Sequence, residues 1–277
     1  MLLKCPACGR LIAVVNNIPH CLHCGRTWDN QDSAKPKTSK FLLAQNERIR
    51  DQAHKNLLNN LDGSLDYCVR RGITMYTILS CKLGYVSENF ELLPVSWHRR
   101  ILFPIYANDG SCVIGFGGRK TTTDDRAKYI NSSKSPCYNK SESLYGYHLV
   151  PDNAETVYLC EGYIDVLSMD SKGFAYPVAS LGTALTAEQA LLIRKKAQRV
   201  VICYDADAAG QKSALRAIDL LAKAGFKTSE IAVMVISDAK DVDEALQHGG
   251  AICEQSLLMY LDKRGEYDMF VDALVNL

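Results

Sequence analysis

Between about residues 155 and 236 the chain alternates short apolar runs with amphipathic stretches, and this rhythm restricts the fold more than any other feature. Thr156–Cys160, Tyr176–Ser180, Arg199–Tyr204 and Ile231–Ile236 have the length of strands, while 164–172, 186–197 and 209–224 have the length and spacing of helices. Such alternation predicts parallel strands joined by right-handed crossovers, an α/β sheet with flanking helices. Ligands of these sheets gather beyond the carboxyl ends of the strands. Here those ends are acidic. Glu161 follows the first run, with Asp165 opening the next helix; Asp205 and Asp207 follow the third run; Asp241 and Asp243 come shortly after the last.

Clustered carboxylates raise one another's pKa, so a cation is their natural compensation. Hard oxygen ligands in an incomplete set suit Mg²⁺, or Mn²⁺ in its place, which keeps several waters and meets substrate phosphates. An aspartate at a helix start is ordinarily an N-cap. Capping accounts for Asp165 or Asp207 alone, but not for Glu161, Asp205 and Asp241 as well.

Upstream the pattern is mixed. Leu57, Leu58, Leu61 and Leu65 are spaced for one helical face, a break follows at Gly72, and a short helix is expected through Ile78 and Leu79. Ile101–Tyr106 and Cys112–Phe116 read as a hairpin about Asn108-Asp109-Gly110. Gly115–Gly118 lacks the GxGxxG spacing of a dinucleotide loop, and its glycines read as places where backbone approaches nucleic acid closely. No GxxxxGK[ST] motor loop occurs.

Charge is divided along the chain. Residues 1–150 carry 20 Lys and Arg against 12 Asp and Glu, a net +8, and residues 151–277 carry 12 against 19, a net −7. A basic half suits a polyanion and an acidic half divalent cations, although solvated surfaces also show such imbalance. With 47% hydrophobic and 23% charged residues, general disorder is not expected. No apolar run reaches the roughly 18 to 20 residues of a membrane span, and Met1–Cys5 has no signal-peptide core; a cytoplasmic protein is the expectation.

Four of the 11 cysteines form the pattern Cys5-x₂-Cys8-x₁₂-Cys21-x₂-Cys24. Two such knuckles are what tetrahedral structural Zn²⁺ requires, and the other cysteines are scattered singly, as in a reduced compartment. His20 and His23 flank the knuckles, and Trp28 is placed either to stack on a base or to pack the small module. Residues 29–40 are polar with one proline and read as a flexible linker.

Glu161-Gly162-Tyr163-Ile164-Asp165-Val166, Ala179 through Thr186, and Tyr204-Asp205-Ala206-Asp207-Ala208-Ala209-Gly210-Gln211-Lys212 together resemble the Toprim domain of bacterial and phage DnaG-type primases. Lys240-Asp241-Val242-Asp243-Glu244 is similar to that family's third acidic motif, with Val242 where proline is usual. The likeness extends upstream through Arg71-Gly72-Ile73, Leu83–Val86, Arg100–Ile105, Val113–Arg119, Lys128–Ser132, Tyr138–Ser141 and Leu144–Gly146, covering about residues 45–246.

This resemblance implies a Toprim-type parallel sheet with flanking helices over 151–246, a mixed α/β basic subdomain over 41–150, a zinc ribbon over 1–28 and a short C-terminal helical segment over 247–277. It implies Glu161, Asp205 and Asp207 as the catalytic and metal-holding acids, with Asp165, Asp241 and Asp243 in support. Arg100, Arg119, Lys128, Tyr129, Asn131 and Lys140 would line a ridge for template and nucleotide phosphates. The implied activity is primer synthesis on single-stranded DNA from rNTPs during replication, with a replicative helicase supplied in trans. Cys8 replaces the family's usual histidine and the module is short, which is closer to the all-cysteine ribbons of phage primase-helicases. Only about 30 residues follow Leu246, and so short a chain suggests a phage or mobile-element primase. A RecR-like zinc and Toprim clamp without catalysis, or a Toprim nuclease, would share the acids or the cysteines but not the upstream basic motifs.

Overall fold

The computed structural model describes residues 12–15, 18–21, 34–182 and 184–264, with side chains from residue 39 onward. Strands β1 (Ile12–Val15) and β2 (Ile18–Cys21) form an antiparallel hairpin in which Ile12 faces Cys21. Cys5, Cys8 and Cys24, like His23 and Trp28, lie outside the described residues, and of Cys21 only the backbone is described.

Helix α1 runs from Ala34 to Leu58, so residues 34–40, expected in a linker, are helical. Pro36 sits in its first turn, where the missing N–H breaks no helical bond. Ile49, Ala53 and Leu57 are buried at a four-residue spacing. The helix lies against strand β3, introduced below, where a Cβ on Gly84 would come within 2.6 Å of the Ala53 Cβ. Only glycine permits that approach.

The leucine face expected over 57–65 does not form. Asn60 turns into the left-handed region at φ 52°, and its Oδ1 accepts from the N–H groups of Leu65 and Asp66. Leu57 is therefore buried while Leu58 and Leu61 are exposed. Helices α2 (Ser64–Arg70) and α3 (Met75–Ser80) follow, separated at Gly72 as expected.

Strands β3 (Gly84–Val86), β4 (Arg100–Tyr106), β5 (Val113–Lys120) and β6 (Tyr129–Asn131) make an antiparallel sheet in that order. Its central hairpin turns at Gly110, φ 74°, with the Asp109 carboxylate accepting from Ser111 N–H at 3.0 Å. The glycines of β5 serve the protein's own packing rather than a bare backbone surface for nucleic acid. A Cβ would fall 3.0 Å from the Tyr138 ring at Gly115, 2.2 Å from Tyr163 at Gly117 and 3.1 Å from Trp97 at Gly118.

The second half runs β7 (Ala154–Cys160), α4 (Tyr163–Ser171), β8 (Pro177–Ala179), α5 (Ala187–Lys196), β9 (Ala197–Cys203), α6 (Ala208–Lys223), β10 (Ile231–Ser237) and α7 (Val242–His248). Strands β8, β7, β9 and β10 lie parallel in that spatial order. The alternation predicted this.

The C-terminal segment differs from expectation. After the left-handed Gly249, strand β11 (Ala251–Ser256) pairs antiparallel with β10, and only then comes helix α8 (Leu257–Asp262). Residues 251–256 therefore extend the sheet instead of continuing a helix. Among the described residues no helix is long and apolar enough to cross a membrane.

Alternate residues of the parallel strands serve opposite faces. Val157, Leu159, Val200 and Ile202 join a core that includes Ala190, Ile193, Ile218 and Leu221 from α5 and α6. Cys160, Val201 and Cys203 join the other core, together with Phe103, Ile105, Tyr145 and Tyr163. That second core fuses the two sheets. Gly117→Ala would drive a methyl into the Tyr163 ring at the seam, so a cost of about 1–3 kcal/mol is expected. Thermal unfolding should show a midpoint several degrees lower; an unchanged midpoint would mean the seam is not close-packed.

Candidate active site

The order β8-β7-β9-β10 reverses direction at β7, since one connection leads to β8 and the next to β9. The crevice between the carboxyl ends of β7 and β9 is therefore the topological switch point, where α/β sheets bind their ligands. Cys160 and Cys203 are paired across it, and Glu161 and Asp205 follow within two residues. The Asp205 N–H donates to Glu161 Oε1 at 3.4 Å.

Three further acids reach the same edge through helix starts. Asp165 is the third residue of α4 and accepts from Gly162 N–H at 3.2 Å. Asp207 caps α6 by accepting from Gly210 N–H at 2.7 Å, and Asp241 caps α7 through Glu244 N–H at 2.8 Å. Capping and acid clustering thus coexist, because a cap occupies only one carboxylate oxygen. Gly210 is required here, since a Cβ would meet the Asp205 carbonyl at 2.3 Å.

The acids perturb one another. Burial, followed by Asp241, Asp205 and Asp243, pushes Asp165 up to about 8. Burial, then Glu161, Asp241 and Asp207, raises Asp205 to about 6. Glu161 is raised by burial, with Asp207 adding to it and the Asp205 N–H opposing. Among the described residues no group of three or more His, Cys, Asp or Glu side chains is placed so as to hold a metal ion. An open set of mutually repelling carboxylates fits Mg²⁺ or Mn²⁺, which bind through one or two carboxylates and complete their shell with water and phosphate.

Asp243 is placed differently from its expected role. Its Oδ2 pairs with Arg71 Nη1 at 2.8 Å, and its Oδ1 accepts from Ser168 and Gln247. With both oxygens engaged and the residue only 8% exposed, Asp243 ties α7 to α4 and to the turn after α2.

The ridge faces this edge. Arg119 donates to the Tyr129 hydroxyl at 2.5 Å, and both Arg119 and Lys128 lie over the Tyr129 ring, at 5.4 and 5.7 Å. Burial lowers the pKa of Lys128, and Arg119, Lys240 and Arg71 push the same way against the pull of Asp241. Cations from β5, from the residue just before β6, from the α2–α3 turn and from the approach to α7 therefore meet within electrostatic reach of the acids. Half-burial also lowers the pKa of Lys140, in the loop before β7.

Two residues expected on the ridge have other work. Arg100 is 1% exposed, and its guanidinium donates to the carbonyls of Ser96, Ala127 and Lys128, fixing the loop that presents Lys128. Asn131 accepts from the Tyr163 hydroxyl and donates to the Leu181 carbonyl at 3.4 Å, holding the Glu161–Asp165 loop to β6. Conversely, Arg71 and Lys240 belong to the site although neither was expected there. The only available signal was their position beside Gly72 and Asp241.

These carboxyls set a pH dependence. Asp165 holds its proton to about pH 8 when folded and loses it near about pH 4 when unfolded, so the folded state binds more protons between those values. Stability should fall as pH rises through that window, and Asp205 adds the same sign up to about 6. Without divalent ions the melting temperature should drop from pH 5 to pH 8, Asp165→Asn should flatten the drop, and Mg²⁺ should restore more at pH 8. A midpoint that rises with pH in metal-free buffer would contradict the raised carboxyls.

The family described as Toprim-like matches residues 158–246, and the DNA primase catalytic core, N-terminal domain, matches 93–151. A DNA primase of Clostridium acetobutylicum is 35% identical over 231 residues, covering 72% of this chain and 38% of that protein. The chain thus spans well under half the length of this curated relative. A DnaG primase catalytic domain bound to single-stranded DNA superposes with a TM-score of 0.68 at 25% identity, over 78% of this chain and 80% of that one. The zinc-binding and RNA polymerase domains of the Aquifex aeolicus primase share the fold, with a TM-score of 0.70 at 24% identity over 99% and 86%. The acids at the switch point, the opposed ridge and these likenesses agree: the chain belongs to the DnaG-type primase family and carries its Toprim domain.

Proposed function

We propose that this protein synthesises short RNA primers on single-stranded DNA from rNTPs. The observation that carries this reading is the acidic switch point set against the cations Arg71, Arg119, Lys128 and Lys240, within reach of one another. Nucleotidyl transfer needs both surfaces. A ribose 3′-hydroxyl attacks the α-phosphate of the next nucleotide, the new P–O bond forms, and the bond to pyrophosphate breaks.

Glu161 is raised by its surroundings and so is suited to take the hydroxyl proton. Asp205 and Asp207, supported by Asp165 and Asp241, would hold Mg²⁺ or Mn²⁺. Such a cation, when bound, neutralises phosphate charge and lowers the pKa of the attacking hydroxyl. Arg119 and Lys128 orient phosphates of template and nucleotide, with Tyr129 fixing both cations between them. A non-catalytic clamp of the RecR kind would have no use for this opposition of acids and cations, and a nuclease none for a nucleotide ridge. The four cysteines have the donor chemistry of structural Zn²⁺. A cytoplasmic location and a helicase acting in trans complete the proposal.

Purified protein incubated with single-stranded DNA, Mg²⁺ and labelled rNTPs should yield short RNA. Asp205→Asn and Asp207→Asn should each lower synthesis by at least about a hundredfold, with DNA binding retained, and asparagine preserves the α6 cap. Wild-type rates in both variants would refute the assignment.

Initiation must assemble two free nucleotides with the template, whereas extension starts from an annealed duplex. An additional binding module offsets part of that entropy. Cys21→Ser combined with Cys24→Ser should therefore depress de novo synthesis and spare extension of a supplied RNA primer. Equal loss of both activities would show instead that the ribbon stabilises the whole protein.

A further inference from the structure

Ala206 stands between the two acids of the 205–207 loop, and both of its backbone groups are taken up by the protein. Its N–H donates to the Lys240 carbonyl at 2.8 Å, and its carbonyl accepts from Gln211 Nε2 at 2.9 Å. The first bond reaches over from the approach to α7. The second comes from α6, the helix that Asp207 caps.

Gln211 is in turn held from beyond the parallel strands. Its Oε1 accepts from Arg264 Nη2 at 2.9 Å, and Arg264, two residues past α8, has its guanidinium 5.3 Å from the Tyr260 ring. This connection decides which way the glutamine faces. The two ends of a carboxamide have nearly the same shape but opposite hydrogen-bonding character, and a guanidinium can only donate. Arg264 therefore takes the oxygen, and the NH₂ is left for the Ala206 carbonyl. An amide turned the other way would set oxygen against oxygen there.

Packing does not supply the same constraint. A hollow of about 80 Å³ lies beside the loop, bounded among others by Asp205, Ala206, Gln211, Ile236, Tyr260 and Arg264. Hydrogen bonds rather than close contacts therefore hold this side of the loop. The need for a constraint is electrostatic. Glu161, Asp241 and Asp207 all repel the Asp205 carboxylate, and a loop held loosely would spread whenever no cation is bound.

We propose that Gln211 and Arg264 are positioning residues: Arg264 orients the Gln211 amide, the amide fixes the Ala206 carbonyl, and the loop so held presents Asp205 and Asp207 together to a divalent cation. The inference rests on the reading of these acids as the cation's ligands. It gives the segment after β11 a part in the site, although that segment contributes no acid to it.

The test uses the full chain, with Mn²⁺ as the probe, the free ion read by electron paramagnetic resonance, and metal-free thermal melting as the control for folding. Asp205→Asn marks the binding that belongs to the acids. Arg264→Ala and Gln211→Ala should each weaken that binding by about tenfold, the loss typical when a residue that orients metal ligands is removed. Charge alone predicts the reverse for Arg264→Ala, since taking away a cation that borders the same hollow as Asp205 would strengthen the attraction for Mn²⁺. The double variant should bind no more weakly than Gln211→Ala, because Arg264 acts through Gln211. Metal-free melting should stay near that of the wild type in all three. Unchanged or tighter Mn²⁺ binding in either single variant overturns the relay, as do additive losses in the double variant or losses that follow metal-free melting. A wild-type chain with no Mn²⁺ binding sensitive to Asp205→Asn overturns the metal reading itself, and the relay with it.

Discussion

The site depends on how Tyr163 seats against the N-terminal sheet. Its ring stacks on Phe103 at 4.7 Å with an interplanar angle of 6°, meets Tyr145 edge-on at 4.9 Å, and occupies space that any side chain at position 117 would take. Its hydroxyl reaches Asn131. Tyr163 lies between Glu161 and Asp165, so this one contact sets the distance from the acids of the switch point to Arg119 on β5 and Lys128 just ahead of β6. Aromatic contacts of this kind contribute about 0.5–1.5 kcal/mol each beyond simple burial, and their directionality fixes an orientation that aliphatic packing would leave loose.

Around that seam, charge is managed in two ways. Arg100 and Asp243 are buried and bonded to protein groups, the first to three carbonyls and the second to Arg71, Ser168 and Gln247. Removing either would strand its partners in a poorly solvated place. Glu161, Asp165, Asp205, Lys128 and Lys140 have pKa values displaced toward the neutral form, and burial lowers that of Arg100 too. Such displacement is tolerated where a ligand of opposite charge relieves it.

Much of this was legible in the residues. The 2-to-3.6 change of period placed β7 through β10 and their helices, and acids directly following apolar runs marked the switch point, because strand direction alone decides which edge they reach. The hairpin about Gly110 was equally plain. The break at Asn60 was not, since an asparagine side chain that bonds Leu65 and Asp66 is indistinguishable in sequence from one in solvent. Strand β11 was hidden for a related reason: most of its residues are exposed, so it carries no apolar alternation, and its pairing with β10 supplies the order that its composition does not.

The sequence by itself determined the α/β class, the acidic strand ends and the presence of basic residues ahead of them, because those depend on local periodicity and residue chemistry. Only the tertiary structure decided which partners each charged group meets. Arg100 and Arg119 stand on neighbouring strands with the same side-chain chemistry, yet one is closed onto the carbonyls of Ser96, Ala127 and Lys128 while the other, itself only 8% exposed, is held by the Tyr129 and Tyr67 hydroxyls. Asp241 and Asp243 are two residues apart, yet one caps a helix at the crevice and the other is bound by Arg71 from 172 residues away. A side chain's role follows from the partners that distant segments bring to it, and those contacts exist only once the chain has folded.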